Sequence, residues 1–115
     1  MANLNARFFA RLNDELRFAN VERDRLSFVD IPGEDYLEYG LNSIKFGFDG
    51  TIEALQDIQA EFSPEDKAEE LLNYLESRIE DNRKQYLRAI QERLFAVASE
   101  DKAKWDTYRR IAGWV

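Results

Sequence analysis

Six carboxylates at a fixed interval are the residues of this chain best placed to do chemistry. Asp49, Glu53, Asp57 and Glu61 recur every fourth residue, and Glu65 and Glu69 keep the interval beyond a Ser63-Pro64 break. On a helix, like charges four apart each cost about 0.2–0.5 kcal/mol, so local stability does not select the pattern. At about 100° per residue the first four span a face roughly opposite Phe48, Ile52, Leu55, Ile58 and Phe62, where a helix puts its solvated side chains. A solvated face is normally mixed in sign, yet Lys45 and Lys67 are the only basic residues between positions 30 and 70, against twelve acids. The chemistry such a stripe offers is attraction for cations. It reads either as a docking face for a basic partner or as plain wet surface.

The stripe does not imitate nucleic acid. One acid every four residues gives about one charge per 6 Å of helix axis, from a rise of about 1.5 Å per residue. Duplex DNA carries about one per 1.7 Å. Adding Glu34, Asp35, Glu38, Asp66 and Glu70 narrows the gap without closing it, which allows partial competition for a basic groove and no more.

Other chemistry is excluded more firmly. The chain has no Cys and no His, so it offers no thiolate, no Ser-His-Asp or Cys-His constellation and no Cys- or His-based metal site. Neither phosphate-cradling glycine motif occurs, and no serine sits in a Gly-flanked turn beside a lysine. Asp49-Gly50-Thr51-Ile52 matches the middle of an EF-hand loop, but the alignment puts Lys45 and Gly47 at the first and third ligand positions and Gln56 where the bidentate Glu belongs. The carboxylate pairs Glu34-Asp35, Glu65-Asp66, Glu69-Glu70 and Glu80-Asp81 fall where solvated faces or helix first turns explain them. The reading is therefore of a non-enzyme without cofactor or metal.

Net charge is −7 over 115 residues, and it is concentrated in the middle of the chain. Residues 1–29 carry five Arg against four acids, residues 30–70 two Lys against twelve, and residues 71–115 nine basic residues against seven acidic. The arginines near each end are matched almost one for one by acids, which argues against direct nucleic-acid binding and against an anionic membrane. No apolar run approaches the roughly 18 residues of a membrane span. Arg7, Arg11 and Asp14 interrupt the N-terminal apolar stretch, unlike a signal peptide, so cytoplasmic residence is the expectation.

The elements that must position the stripe are helical. Leu4, Phe8, Leu12 and Leu16, with Phe9 and Ala19 beside them, predict a first helix over about 4–25. Residues 26–33, broken by Pro32-Gly33, read as an apolar connection. Leu37, Leu41, Ile44 and Phe48 run in phase with Ile52, Leu55, Ile58 and Phe62, which favours a second helix. A short β-ribbon around 26–48, giving an α+β fold, is the alternative. Gly40 and Gly47, seven apart, suit close approach of a neighbouring helix, or else the chain kinks near Gly47-Gly50. Ser63-Pro64-Glu65-Asp66 has the cap, proline and acids of a helix start. A long helix should follow with Ala68, Leu72, Leu75, Ile79, Tyr86, Ile90, Leu94 and Val97 along its buried seam, and with Asn82 there satisfying a local hydrogen bond or fixing the register of a helix pair, not binding a ligand. Ser99-Glu100-Asp101 repeats the start signature and opens a short last helix ending at Gly113, unless the long helix simply continues.

The expected fold is all-α: one antiparallel helical bundle, residues 1–115, of three longer helices and a short C-terminal one. The expected function is non-enzymatic, with the partner-binding face made of Asp49, Glu53, Asp57, Glu61, Glu65 and Glu69. The partner is a basic protein surface, such as that of a nucleic-acid-binding protein. Compact acidic binders of this type occur among phage-encoded inhibitors and bacterial immunity proteins, although no motif ties the chain to a family. The alternative is a structural or assembly protein, a homo-oligomer that self-associates through helical hairpins at the Phe8-Phe9 face or the Trp105–Trp114 end.

Overall fold

The computed structural model describes residues 3–27 and 35–115, with the side chains of residue 27 and of 35–43 outside that description. Four helices follow one another: α1 Ala6–Ser27, α2 Asp35–Glu61, α3 Ala68–Gln91 and α4 Phe95–Ala112. No strand is present among the described residues. The only extended pairing among the described residues is a single antiparallel bridge between Asn3 and Lys67.

α1 starts where Asn5 caps it, its side-chain oxygen accepting the Phe8 N–H at 3.0 Å. The helix runs two residues past the expected end, so Leu26 and Ser27 belong to it and not to the connection. The rest of the expected apolar connection, residues 28–33, lies outside the described residues. α2 is helical from Asp35 onward and passes through Gly47 and Gly50 without interruption. That excludes a β-ribbon over 35–48. It also places Asp49-Gly50-Thr51-Ile52 in mid-helix, where no calcium loop can form. Ile52, Ala54, Leu55 and Ile58 are buried along it, whereas Ile44, expected in the same stripe, is exposed.

The third helix begins four residues later than its sequence signature. Ser63 donates its N–H to the Asp66 carboxylate at 2.7 Å, and the Asp66 N–H returns to the Ser63 carbonyl at 3.0 Å, closing a turn instead of opening a helix. The Leu4 N–H donates to the Asp66 carbonyl at 2.7 Å, and Lys67 is extended at φ −81°, ψ 142°. The pairing with the N-terminal segment thus holds 66–67 straight, and Glu65 stands outside any helix. Asn82 is buried and donates to the Arg78 carbonyl at 2.8 Å, the local hydrogen bond expected of it.

α3 neither continues to residue 112 nor hands over at Ser99. The Leu94 N–H reaches the Ala89 carbonyl at 2.8 Å and the Arg93 N–H reaches the Ile90 carbonyl at 3.1 Å, with Arg93 at φ 59°. These are the two bonds of a Schellman cap, with Arg93 in the left-handed position usually taken by glycine. Because the chain turns there, Leu94 and Val97 leave the expected seam and are exposed; Ile90, still within α3, is exposed because the buried seam runs through Leu71, Leu75, Asn82 and Ala89 instead. α4 is consequently a full helix of 18 residues. Ser99, Glu100 and Asp101 lie inside it, and Asp101 is buried.

Backbone contact runs from α1 to α2, from α2 to α4 and from α4 to α3. α2 and α4 lie parallel, since Glu53 faces Lys104 and Asp57 faces Tyr108. What lets these two helices meet closely is Gly50: a methyl group there would overlap the Glu100 carbonyl oxygen and stand 3.0 Å from the Ala103 Cβ. The close-approach role expected of Gly47 belongs to Gly50, because nothing lies within 4 Å of a Cβ on Gly47. Gly40 is outside the described side chains.

The core gathers Leu4, Leu12, Ala54, Leu55, Ile58, Leu71, Leu75, Tyr108 and Ile111. The C-terminus packs onto this end. Trp114 meets Phe8 edge-on at 6.0 Å, and the Arg11 guanidinium lies 3.9 Å from the centre of its ring. Trp105 packs beside Tyr86 at 5.9 Å. The opposite end, at the α3–α4 turn, is less covered.

Candidate functional site

The six acids of the stripe divide into two groups according to what faces them. α2 lies between α1 and α4, and a four-residue interval drifts by about 40° per step around a helix of 3.6 residues per turn. Successive acids therefore reach different neighbours. Asp49 forms an ion pair with Arg23 of α1. Glu53 pairs with Lys104 of α4 at 2.8 Å, and the Lys104 side chain is only 17% exposed. Asp57 accepts a hydrogen bond from the Tyr108 hydroxyl at 3.3 Å. The cations missing from residues 30–70 are in part supplied across helix interfaces.

Lys104 also lies 3.9 Å from Glu100, so two carboxylates from different helices share one ammonium. The hydrogen bond from Lys104 holds the Glu53 carboxyl below its ordinary value. Burial, together with the neighbouring Glu53 carboxylate, pushes Glu100 up. Beneath Asp57, burial likewise raises the Tyr108 and Tyr74 hydroxyls, and the Tyr74 hydroxyl has no hydrogen-bond partner among the described residues.

Glu61, Glu65 and Glu69 form the second group. All three are exposed, as is Glu70. Every lysine and arginine of the chain is among the described side chains, and none forms an ion pair with these four carboxylates. Glu61 ends α2, Glu65 stands in the turn, and Glu69 and Glu70 occupy the first turn of α3, where the helix dipole favours negative charge. The stripe is thus not one continuous face. Its second half wraps around the α2–α3 turn.

Among the carboxylate pairs singled out in the sequence, Asp66 closes the Ser63 turn and Glu80 pairs with Arg83 at 2.8 Å. Glu34 and the Asp35 side chain lie outside the described residues. The Glu53–Glu100 pair was not legible in the sequence, because its members are brought together only by the parallel packing of α2 on α4. No group of three or more Asp or Glu is arranged to hold a metal among the described residues. No described helix is long and apolar enough to cross a membrane.

A groove of about 330 Å³ runs between α2 and α4 past Gly47, Phe48, Thr51, Ala103 and Thr107, where the two threonine hydroxyls meet at 3.3 Å. Compared with known proteins, the chain matches no family model, no curated protein and no solved structure.

The two aromatic surfaces considered for self-association are engaged within the chain. Phe8 and Phe9 pack on each other, Phe8 also meets Trp114, and Trp105 meets Tyr86. Most of the exposed apolar residues lie elsewhere: Leu87, Ile90, Leu94, Phe95 and Val97 flank the α3–α4 turn, Phe18 and Val21 lie on α1 and Ile44 on α2, while Val115 is exposed beside Trp114.

Proposed function

We propose that this chain is a non-enzymatic protein-interaction protein whose acidic surface engages a basic surface of a partner protein, in the manner of a phage-encoded inhibitor or an immunity protein. The observation that carries the reading is the exposed and unpaired state of Glu61, Glu65, Glu69 and Glu70 at the α2–α3 turn. Asp49, Glu53 and Asp57 serve mainly to join helices. Exposed carboxylates with no intramolecular counter-ion lose little on docking to lysine and arginine, and they raise the association rate through long-range attraction.

The test is capture from the native host with the wild type and with Glu61→Gln/Glu65→Gln/Glu69→Gln as parallel baits, over a salt series. A partner retained by the wild type at low salt, released as salt rises and lost with the variant supports the reading. A partner held equally by both baits defeats it. An assembly role is the second reading, favoured by the exposed Leu87, Ile90, Leu94, Phe95 and Val97 and not by the aromatic faces named above. Sedimentation of the wild type as a dimer or larger species would favour it.

A further inference from the structure

Asp101 sits in the second turn of α4, and its carboxylate oxygens are not among the side-chain atoms cut off from both solvent and a hydrogen-bond partner. It is 6% exposed, and its side chain takes part in no hydrogen bond or ion pair among the described residues. Its neighbour Lys104 is committed to Glu53 and Glu100. Asp101 lines an open cleft of about 210 Å³ between α3 and α4, whose other walls include Ala89, Leu94 and Val97, with Gln85, Arg88 and Glu92 also lining it. Burial raises the Asp101 carboxyl above its ordinary value, against the pull of the nearby Lys104 ammonium, which also serves Glu53 and Glu100.

We propose that this cleft is a second binding site, which receives the lysine side chain of a partner protein: the four-carbon stem against Ala89, Leu94 and Val97, the ammonium on the Asp101 carboxylate. The volume is below the roughly 300–1,000 Å³ of sites for drug-sized ligands and suits one side chain. Lysine fits better than arginine, because a single buried carboxylate leaves most of the five guanidinium donors unmet, whereas an ammonium has three. Leu94, Phe95 and Val97, about half exposed around the mouth, would meet apolar residues flanking that lysine. Arg88 shares the cleft yet forms no ion pair with Asp101. The site is independent of the acidic α2–α3 turn, so failure of the Glu61/Glu65/Glu69 variant leaves it standing.

The probe is n-butylammonium, the lysine side chain without its backbone, titrated into ¹⁵N-labelled protein at constant ionic strength beside neutral n-butanol. Saturating amide shifts confined to Ala89, Leu94, Val97 and Asp101 are expected, with butanol about tenfold weaker or worse for want of a charge-assisted contact. Asp101→Asn should bring butylammonium down to the butanol level. Val97→Phe, on an exposed position at the mouth, should block both, and keeps the test open if Asp101→Asn fails to fold. Equal binding of the two probes would overturn the proposal. So would shifts spread over Glu61, Glu65 and Glu69, binding that appears only after Arg88→Ala, or shifts at the cleft that depend on protein concentration without any probe.

Discussion

Two glycines three residues apart on α2 should respond oppositely to the same substitution. At Gly50 a methyl group overlaps the backbone oxygen of Glu100 and touches the Ala103 Cβ at 3.0 Å. Neither is the end of a flexible side chain, so α4 has to retreat by about 1 Å to reach ordinary contact distance. That interface also seats Leu55, Ile58, Tyr108 and Ile111, all fully buried. Forced repacking of this kind costs about 1–3 kcal/mol, against a gain of up to about 1 kcal/mol from replacing glycine in a helix. A net loss of about 1–2 kcal/mol is expected for Gly50→Ala, which is about 4–8 °C in melting temperature for a domain of this size. Gly47 has nothing within 4 Å of the same methyl, so Gly47→Ala should keep the propensity gain of about 0.5–1 kcal/mol. Urea unfolding followed by circular dichroism measures both. The retreat of α4 should also part Lys104 from Glu53, which gives a second readout in the titration of Glu53. A Gly50→Ala protein as stable as Gly47→Ala would refute the close α2–α4 approach and with it the assignment of Glu53 as an interhelical partner.

Three further outcomes are expected. Asp49→Asn/Glu53→Gln should lower stability by about 0.5–2 kcal/mol, since partly buried ion pairs lie between the exposed and buried cases; Glu61→Gln should change it by a few tenths at most, and equal effects in urea unfolding would show the stripe to be uniform. Arg93→Gly should raise the melting temperature, because the left-handed position costs a non-glycine residue about 1–2 kcal/mol, and a fall would mean that the Arg93 side chain does unseen work. Glu100 and Asp101 are raised by burial from 4.5 and 3.8, so the folded chain binds their protons first and stability grows as pH falls through the folded values; Glu53, lowered from 4.5 by Lys104, adds stability that is complete above 4.5 and lost below. A melting temperature that rises as pH falls from neutrality and turns down once Glu53 begins to lose its charge below 4.5 is expected, and Glu100→Gln should flatten the rise.

The helices were legible because long apolar stripes of period 3.6 leave little choice, and α2 kept its phase through two glycines for that reason. The boundaries misread were those set by tertiary contact or by an unusual residue. Ser63-Pro64-Glu65-Asp66 carries a helix start in its residue types, but the bond from the Leu4 N–H to the Asp66 carbonyl comes from 62 residues away in sequence. The α3–α4 turn has neither Gly nor Pro, and Arg93 in the glycine position gives no local signal at all. Asp101 was read as part of a cap for the same reason: with the turn displaced to 92–94, a residue expected at a wet helix start is instead carried into the interface between α3 and α4.

The carboxylate stripe shows a different limit. Its spacing and its excess of charge are real properties of residues 49–69, but whether a carboxylate is free depends on what the neighbouring helices bring to it. Arg23 and Lys104 lie 26 and 51 residues from the acids they neutralise. A segment read alone therefore exaggerates its own charge. In this fold the exaggeration is confined to the half of α2 that runs between α1 and α4. Past Glu61 no lysine or arginine forms an ion pair with the acids of the α2–α3 turn, and Lys67 is the one basic residue standing among them. The opposite end of α3 is mixed, with exposed Ile90, Leu94 and Val97 beside Arg88, Glu92 and Arg93 and with Asp101 buried against it. A partner that bridged both ends would need a basic surface and an inserted lysine about 36 Å apart, the length of a 24-residue helix at about 1.5 Å per residue. A hairpin would need strands of about 11 residues to span that distance at about 3.3 Å per residue, and one face of a folded basic domain spans it as well. If both sites are used at once, separate loss of either should weaken binding by comparable factors, and the salt dependence should follow the α2–α3 acids and not Asp101.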